Sequence, residues 1–346
     1  MKIGVLTSGG DCPGLNAVLR GIVRKSMSYD YRIIGILNGW KGLIDEDYLE
    51  LGLKEVSGII NRGGTIIGTS RYNPFMEKEG KNLLLDKVQK AGFSSLICIG
   101  GEGSMHIAQM AHEAGINVIG VPKTIDNDIY GTDFTFGFDT AVNIATEAID
   151  RLHSTAESHH RVMVVEVMGR NAGWIAVYSG IAGGADVIAI PEQKVGIEHM
   201  ISVIRNRYLR GKKFSIIVVA EGCTFEIDEF QHVRIDTKNV KKDDFGRPRL
   251  GGISHYLAEE IEARSGFETR ATILGHLQRG GMPTAFDRVL GTRYGVYSVE
   301  MVCKEKFGRM CSIQGNEMTD IPIKKAISKL KTVDPDIYDV AQVFFH

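Results

Sequence analysis

Ile3-Gly4-Val5-Leu6-Thr7, followed at once by Ser8-Gly9-Gly10-Asp11, is the stretch on which the fold turns. A short β-branched apolar run with no polar alternation suits a strand buried on both faces. The two glycines behind it mark a place where backbone turns tightly or comes close to a ligand. Working outward, similar runs recur at Ile33 to Leu37, Leu96 to Ile99, Val118 to Val121, Val162 to Val167, Val187 to Ile190, Ser215 to Val219 and Ala271 to Leu274. Between them lie segments with helical spacing, such as Ala141, Ile144, Ala145, Ala148, Ile149 and Leu152, or Ile201, Ile204 and Tyr208. This alternation predicts an α/β protein in which parallel-rich sheets are flanked by helices.

In such a sheet the loops after the strands gather on one edge, where ligands bind. The polar, glycine-rich segments fall on that edge. Ser8 to Asp11 follows the first strand, Gly100-Gly101-Glu102-Gly103-Ser104 follows Ile99, and Pro122-Lys123-Thr124-Ile125-Asp126-Asn127-Asp128 follows Val121. Met168-Gly169-Arg170 follows Val167, Glu221-Gly222 comes just after Val219, and Gly275-His276-Leu277-Gln278-Arg279-Gly280-Gly281 follows Leu274. Neither a Gly-x-Gly-x-x-Gly after the first strand nor a Gly-x-x-x-x-Gly-Lys-[Ser/Thr] occurs, so the dinucleotide fingerprint and the Walker loop are both excluded. Glycine N–H groups and helix starts cradle phosphates, carboxylates hold Mg²⁺ or accept protons, and arginines neutralise phosphoryl groups. The combination points to phosphoryl transfer.

Composition narrows the field further. The chain has 346 residues, 43% hydrophobic and 24% charged, with 41 basic against 42 acidic side chains and a net charge of −1. Disorder, collagen and coiled coil are excluded, and the length predicts about two domains. A near-neutral chain lacks the basic excess that nucleic acid or an anionic membrane attracts. With no stretch approaching about 18 apolar residues, a cytoplasmic protein is expected. Cys12, Cys98, Cys223, Cys303 and Cys311 are scattered and odd in number, which reads as reduced thiols.

The stretch Ile3 to Asn16, Arg62-Gly63-Gly64-Thr65-Ile66-Ile67-Gly68-Thr69-Ser70-Arg71, Lys123 to Asp128, Met168 to Arg170 and Gly275 to Gly281 together resemble the 6-phosphofructokinases, nearly end to end. The resemblance implies an ATP-dependent kinase of fructose 6-phosphate, making fructose 1,6-bisphosphate with Mg²⁺. Its donor residues would be Gly10, Arg71, Tyr72, Glu102, Gly103, Ser104 and Lys123, with Glu102 holding the metal. Asp126 would be the general base on the sugar 1-hydroxyl, and Thr124 and Arg170 would stabilise the phosphoryl in flight. Thr124, Ile125, Asp126, Arg161, Met168, Gly169, Arg170, Glu221, Arg270, His276, Leu277, Gln278 and Arg279 would hold the sugar phosphate. The implied domains are 1–137 plus about 278–328 for the donor, and 138–277 plus about 329–346 for the sugar, with the substrates meeting in the cleft between them.

Taken singly, Asp126 and Asp128 fit a turn that caps a helix, Glu221 a strand-end surface residue, His276 a bonded loop histidine and Arg71 a solvated charge. His159 and His160 lack a third ligand at zinc spacing. Trp40 and Trp174 read as packing, and Arg205, Arg207, Arg210, Lys212 and Lys213 as a wet helix face. Two departures bear on the donor. Lys123 stands where bacterial allosteric members have glycine and the pyrophosphate-using branch has lysine, whereas Gly103 stands where that branch has aspartate. Glycine leaves room for a nucleotide α-phosphate, so ATP is the reading and pyrophosphate the alternative. A non-catalytic sugar-phosphate sensor is a more distant one. Arg20, Arg24 and Lys213 match a basic effector set in which His153 replaces an arginine, implying a weak or absent response to effectors.

Arg161 and Arg270 each sit just before a predicted strand whose far end carries binding residues. Six extended residues place each roughly 20 Å from that edge. If they bind the sugar 6-phosphate, they must enter a neighbouring subunit's site, which implies a symmetric homo-oligomer, a tetramer.

Overall fold

The computed structural model describes residues 1–228, 231–233 and 251–345. The charged, turn-rich segment from Phe225 to Arg249 falls largely outside the described residues. The chain divides into two compact units, Met1–Thr140 with Arg279–Lys331 and Ala141–Gln278 with Thr332–His346. The breaks lie within three residues of the sequence boundaries at 137, 277 and 328.

The strands are β1 (Lys2–Ser8), β2 (Arg32–Ile36), β3 (Tyr48–Glu50), β4 (Ser95–Gly100), β5 (Val118–Pro122), β6 (Val162–Val167), β7 (Val187–Ala189), β8 (Ser215–Ala220), β9 (Phe225–Asp228), β10 (Gln231–Val233), β11 (Thr269–Ile273), β12 (Arg309–Gln314) and β13 (Glu317–Pro322). The helices are α1 (Leu15–Ser26), α2 (Trp40–Asp45), α3 (Gly80–Ala91), α4 (Glu102–Glu113), α5 (Phe138–His159), α6 (Trp174–Ala182), α7 (Ile197–Leu209), α8 (Ile253–Ser265), α9 (Ala285–Cys303), α10 (Ile323–Ala326) and α11 (Pro335–Gln342).

In the first unit the sheet runs β13-β12-β5-β4-β1-β2-β3. From β12 through β5, β4 and β1 to β2 it is parallel, while β3 and β13 add antiparallel edges. Strands β1 and β4 are buried along nearly their whole length, as a sheet covered on both faces requires. From β1 the chain crosses through α1 to β2 on one side, and from β4 it crosses through α4 to β5 on the other. The gap between β1 and β4 is therefore a topological switch point, where the loops diverge and leave a crevice. In the second unit β11-β6-β8-β7 is parallel throughout, and β9 pairs with β10 as a separate antiparallel hairpin.

Three sequence expectations need correction. The polar segments do not share one edge: those after β1, β4 and β5 belong to the first sheet, and those after β6, β8 and β11 to the second. Arg270 does not precede its strand but is its second residue, because the ladder begins where Thr269 pairs with Val162. Arg207 is no wet-face charge. Its guanidinium pairs at 2.8 Å with the buried Asp186, whose other oxygen accepts from Ile216 N, so α7 is fastened to β8.

Candidate active site

In the first unit, Gly9 takes a left-handed φ of 85° and its N–H donates to Ser70 O at 2.9 Å, which brings the 62–71 segment alongside the end of β1. Asn16, on α1, fixes the same segment: its amide donates to Arg62 O at 3.0 Å and accepts from Ile66 N at 2.9 Å. Arg71 and Tyr72 follow directly. The Tyr72 hydroxyl donates to Glu77 at 2.6 Å, and burial pushes it up to about 12.

Four of the distant motifs meet at Gly9 and Gly10. A side chain at Gly9 would sit 3.3 Å from Ser104 Oγ and 3.7 Å from Lys123 Nζ, and one at Gly10 would collide with the Arg279 guanidinium at 2.9 Å. Lys123 is buried, and its ammonium donates to Gly10 O. Desolvation by burial holds its pKa below the usual lysine range. Arg279 donates to Asp11 O at 3.3 Å, so this residue, read from sequence with the sugar-binding set, lies in the first unit on the Gly10 loop. Glu102 and Gly103 open α4, whose first turn presents N–H groups and the positive end of the helix dipole.

The Thr124–Thr135 loop carries the carboxylates. Thr124 Oγ1 accepts from Asp126 N at 3.0 Å, and Thr135 Oγ1 donates to Thr124 O at 2.7 Å. Asn127 is buried, with φ of 50°, and its side chain accepts from Thr135 N at 3.1 Å and donates to Asp133 O at 3.3 Å. Burial and the charges of Asp126 and Glu102 push the Asp128 carboxyl up to about 7, while hydrogen bonds to its own backbone and to Thr124 pull the other way. Among the described residues no cluster of three or more His, Cys, Asp or Glu side chains has metal-holding geometry. Sequence reading assigned no role to Asn16, Asn127 and Thr135, whose hydrogen bonds go to loop backbone and, between Thr135 and Asn127, to each other, which no spacing reveals.

In the second unit, three loops are tied together at the ends of β6, β8 and β11. Gln278, fully buried, accepts from Met168 N at 3.2 Å and donates to Gly275 O at 3.2 Å. Glu221 N donates to Val167 O at 2.9 Å and Gly222 N to Gly169 O at 3.1 Å. A side chain at Gly222 would strike Arg170 O, so only glycine lets these loops close. Met168, Gly169, Arg170, Glu221 and the 275–278 turn are therefore one constellation, with His276 and Leu277 on its exposed side. Arg161 and Arg270 are apart from it. Both grip Glu268 at the opposite edge of the sheet, at 2.8 and 2.6 Å. His153 Nε2 donates to Gly183 O at 2.7 Å, and its ring stands edge-on to Phe214.

Glycine-rich loops and a helix start surround the switch point of a parallel-centred sheet, an arrangement suited to a phosphotransferase. A family model for phosphofructokinase matches residues 2–302. The pyrophosphate–fructose 6-phosphate 1-phosphotransferase of Streptomyces coelicolor is 50% identical over 347 residues, covering 100% of each chain. The ATP-dependent 6-phosphofructokinase 2 of the same organism is 49% identical over 349 residues, again covering 100% of both. The phosphofructokinase structure from Saccharomyces cerevisiae matches with a TM-score of 0.81 at 30% identity, over 99% of this chain and 46% of that one, so the chain spans about half of the yeast chain's length. The chain belongs to the phosphofructokinase family. Among the described residues no helix is long and apolar enough to cross a membrane.

Proposed function

We propose that this phosphofructokinase transfers the terminal phosphoryl group of ATP to the 1-hydroxyl of fructose 6-phosphate. Asp126 takes the hydroxyl proton, the oxygen attacks the γ-phosphorus, and the bond to the β-phosphate breaks to leave ADP and fructose 1,6-bisphosphate. Thr124 and Arg170 bear the charge of the phosphoryl in flight. Gly10, Arg71, Tyr72, Glu102, Gly103, Ser104 and Lys123 hold the donor. The second unit's Met168, Gly169, Arg170, Glu221 and 275–278 turn hold the sugar, together with Ile125 and Arg279.

Mg²⁺ fits this loop set, since Asp128, raised first by burial and then by the charges of Asp126 and Glu102, sits among acids whose repulsion a dication would relieve. Mg²⁺ needs no all-protein cage, being held through one or two carboxylates, waters and phosphate oxygens. Glu102 would hold it, and it would neutralise donor phosphate charge.

The observation that carries ATP as donor is Gly103 in the first turn of α4, where an acidic side chain would repel a nucleotide α-phosphate. One observation favours pyrophosphate as the second reading: the buried Lys123 ammonium at Gly10 suits a small, highly charged donor. Purified chain assayed with fructose 6-phosphate, Mg²⁺ and each donor in turn should give a far higher kcat/KM with ATP. Efficient turnover with pyrophosphate and little with ATP would reverse the assignment. The arginines on the far edge of the second sheet are best accounted for by a homo-oligomer, a tetramer in which each subunit completes its neighbour's sugar-phosphate site.

A further inference from the structure

Asn127 sits between Asp126 and Asp128 in a left-handed conformation that a non-glycine residue keeps only when its surroundings over-determine it. Its amide donates to Asp133 O, and that same carbonyl accepts a second hydrogen bond from the ammonium of Lys331. Lys331 arrives there on a short strap, 329–331. Leu330 forms an antiparallel bridge with Ile129, Lys331 N donates to Asp128 O at 2.9 Å, and the Lys329 ammonium lies 4.3 Å from the centre of the Tyr130 ring. The Lys331 ammonium is 5.9 Å from the Phe134 ring centre; burial lowers its pKa to about 8, while the Asp133 and Asp128 carboxylates favour its charged form. The β12–β13 hairpin steadies the other side of Asp133, through Ile313 O accepting from Asp133 N at 2.9 Å and Gly315 N donating to its carboxylate at 2.6 Å.

We propose that Lys331 is a positioning residue for the catalytic base: by orienting Asp133 O it fixes Asn127, and so the direction in which the adjacent Asp126 carboxylate points. Its positive charge beside Asp128 also offsets the repulsion among the loop's acids. Lys331 touches no substrate in this scheme, so its loss should disturb the chemical step and leave binding nearly intact. The inference rests on Asp126 being the base.

The test is steady-state kinetics of the full chain with fructose 6-phosphate, Mg²⁺ and whichever donor it turns over, for the unsubstituted protein, Lys331→Met and Lys331→Arg. Misplacing a reacting group from a distance lowers rates by roughly ten- to a hundredfold. The expected result is a kcat loss of about that size in Lys331→Met, with both KM values changed less than about twofold and the melting transition kept. Lys331→Arg, which still donates to Asp133 O, should recover most of the rate. A Lys331→Met variant with full kcat, one whose activity falls only with its folded fraction, or an arginine variant no better than methionine would each overturn the proposal. If the unsubstituted chain turns over neither donor, the function itself is withdrawn, and that result is distinct because it appears without any substitution.

Discussion

Lys123 shows how one residue shapes the donor site. Its backbone N–H donates to Gly100 O at 2.8 Å and its ammonium to Gly10 O, so the ends of β1, β4 and β5 are stitched by a single side chain and its own amide. Gly103 lies on the neighbouring helix start, and under the proposed function the two residues pull donor preference in opposite directions. Gly103→Asp should depress kcat/KM with ATP more than with pyrophosphate, which a paired donor assay reads directly; equal losses would remove Gly103 from donor selection. At Asp126 the expectation is simpler. A primary hydroxyl is a poor nucleophile, and general-base assistance is worth about 10²–10⁴-fold. Asp126→Asn should lower kcat by that order with fructose 6-phosphate affinity largely kept, and near-normal turnover would take the base role from it.

At the scale of elements, the starts of α5 and α9 hold each other through Asp287. One carboxylate oxygen accepts from Gly137 N at 2.8 Å, the other from Thr140 N at 2.8 Å and Thr140 Oγ1 at 2.5 Å. Thr284 caps α9 and donates to Asp139 at 2.5 Å. Burial outweighs these donors and pushes the Asp287 carboxyl from 3.8 up to about 6. A carboxyl that holds its proton more tightly when folded stabilises below about pH 4, and that contribution is lost as pH rises through about 6. Asp287→Asn leaves a buried N–H facing an amide nitrogen, a loss of about 1–3 kcal/mol, larger at pH 5 than at pH 7.5. Chemical denaturation at the two pH values checks this, and equal stability of variant and parent at both would show the donors finding other partners. None of it was legible in the sequence, because Asp287 is one acid in the first turn of α9 and its partner Thr140 is 147 positions away. The parallel strands were legible because burial on both faces leaves continuous β-branched runs. Strands β3, β12 and β13 were not: β3 and β13 are edge strands, and all three mix charged and polar residues into short segments, as in Arg309-Met310-Cys311-Ser312-Ile313-Gln314 of β12.

Across the whole molecule, the division of the chain into two discontinuous units came from the family resemblance and not from motif positions, which had set Arg279 with the sugar residues although it lies on the Gly10 loop. The fate of Arg161 and Arg270 was readable only by strand geometry. Both lie at the starts of neighbouring parallel strands, β6 and β11, far from the loops their own strands feed. In the isolated chain Glu268 occupies them, and its carboxyl is held below the usual range by the hydrogen bond from Arg161 and the charges of both arginines. Both ion pairs are part-exposed, so solvent screens them and each holds only weakly. An incoming phosphate dianion can therefore displace Glu268 at small cost and accept two guanidinium forks. If a neighbouring subunit presents that phosphate, activity is a property of the assembly. Subunits carrying Asp126→Asn and subunits carrying Arg161→Ala are each expected to be nearly inactive alone. Mixed under exchange conditions, a fraction of sites pairs an intact base with an intact neighbouring arginine, and activity should rise above either parent. A monomer with full activity and tight fructose 6-phosphate binding, or hybrids no more active than their parents, would leave the two arginines as ion-pair partners of Glu268 and nothing more.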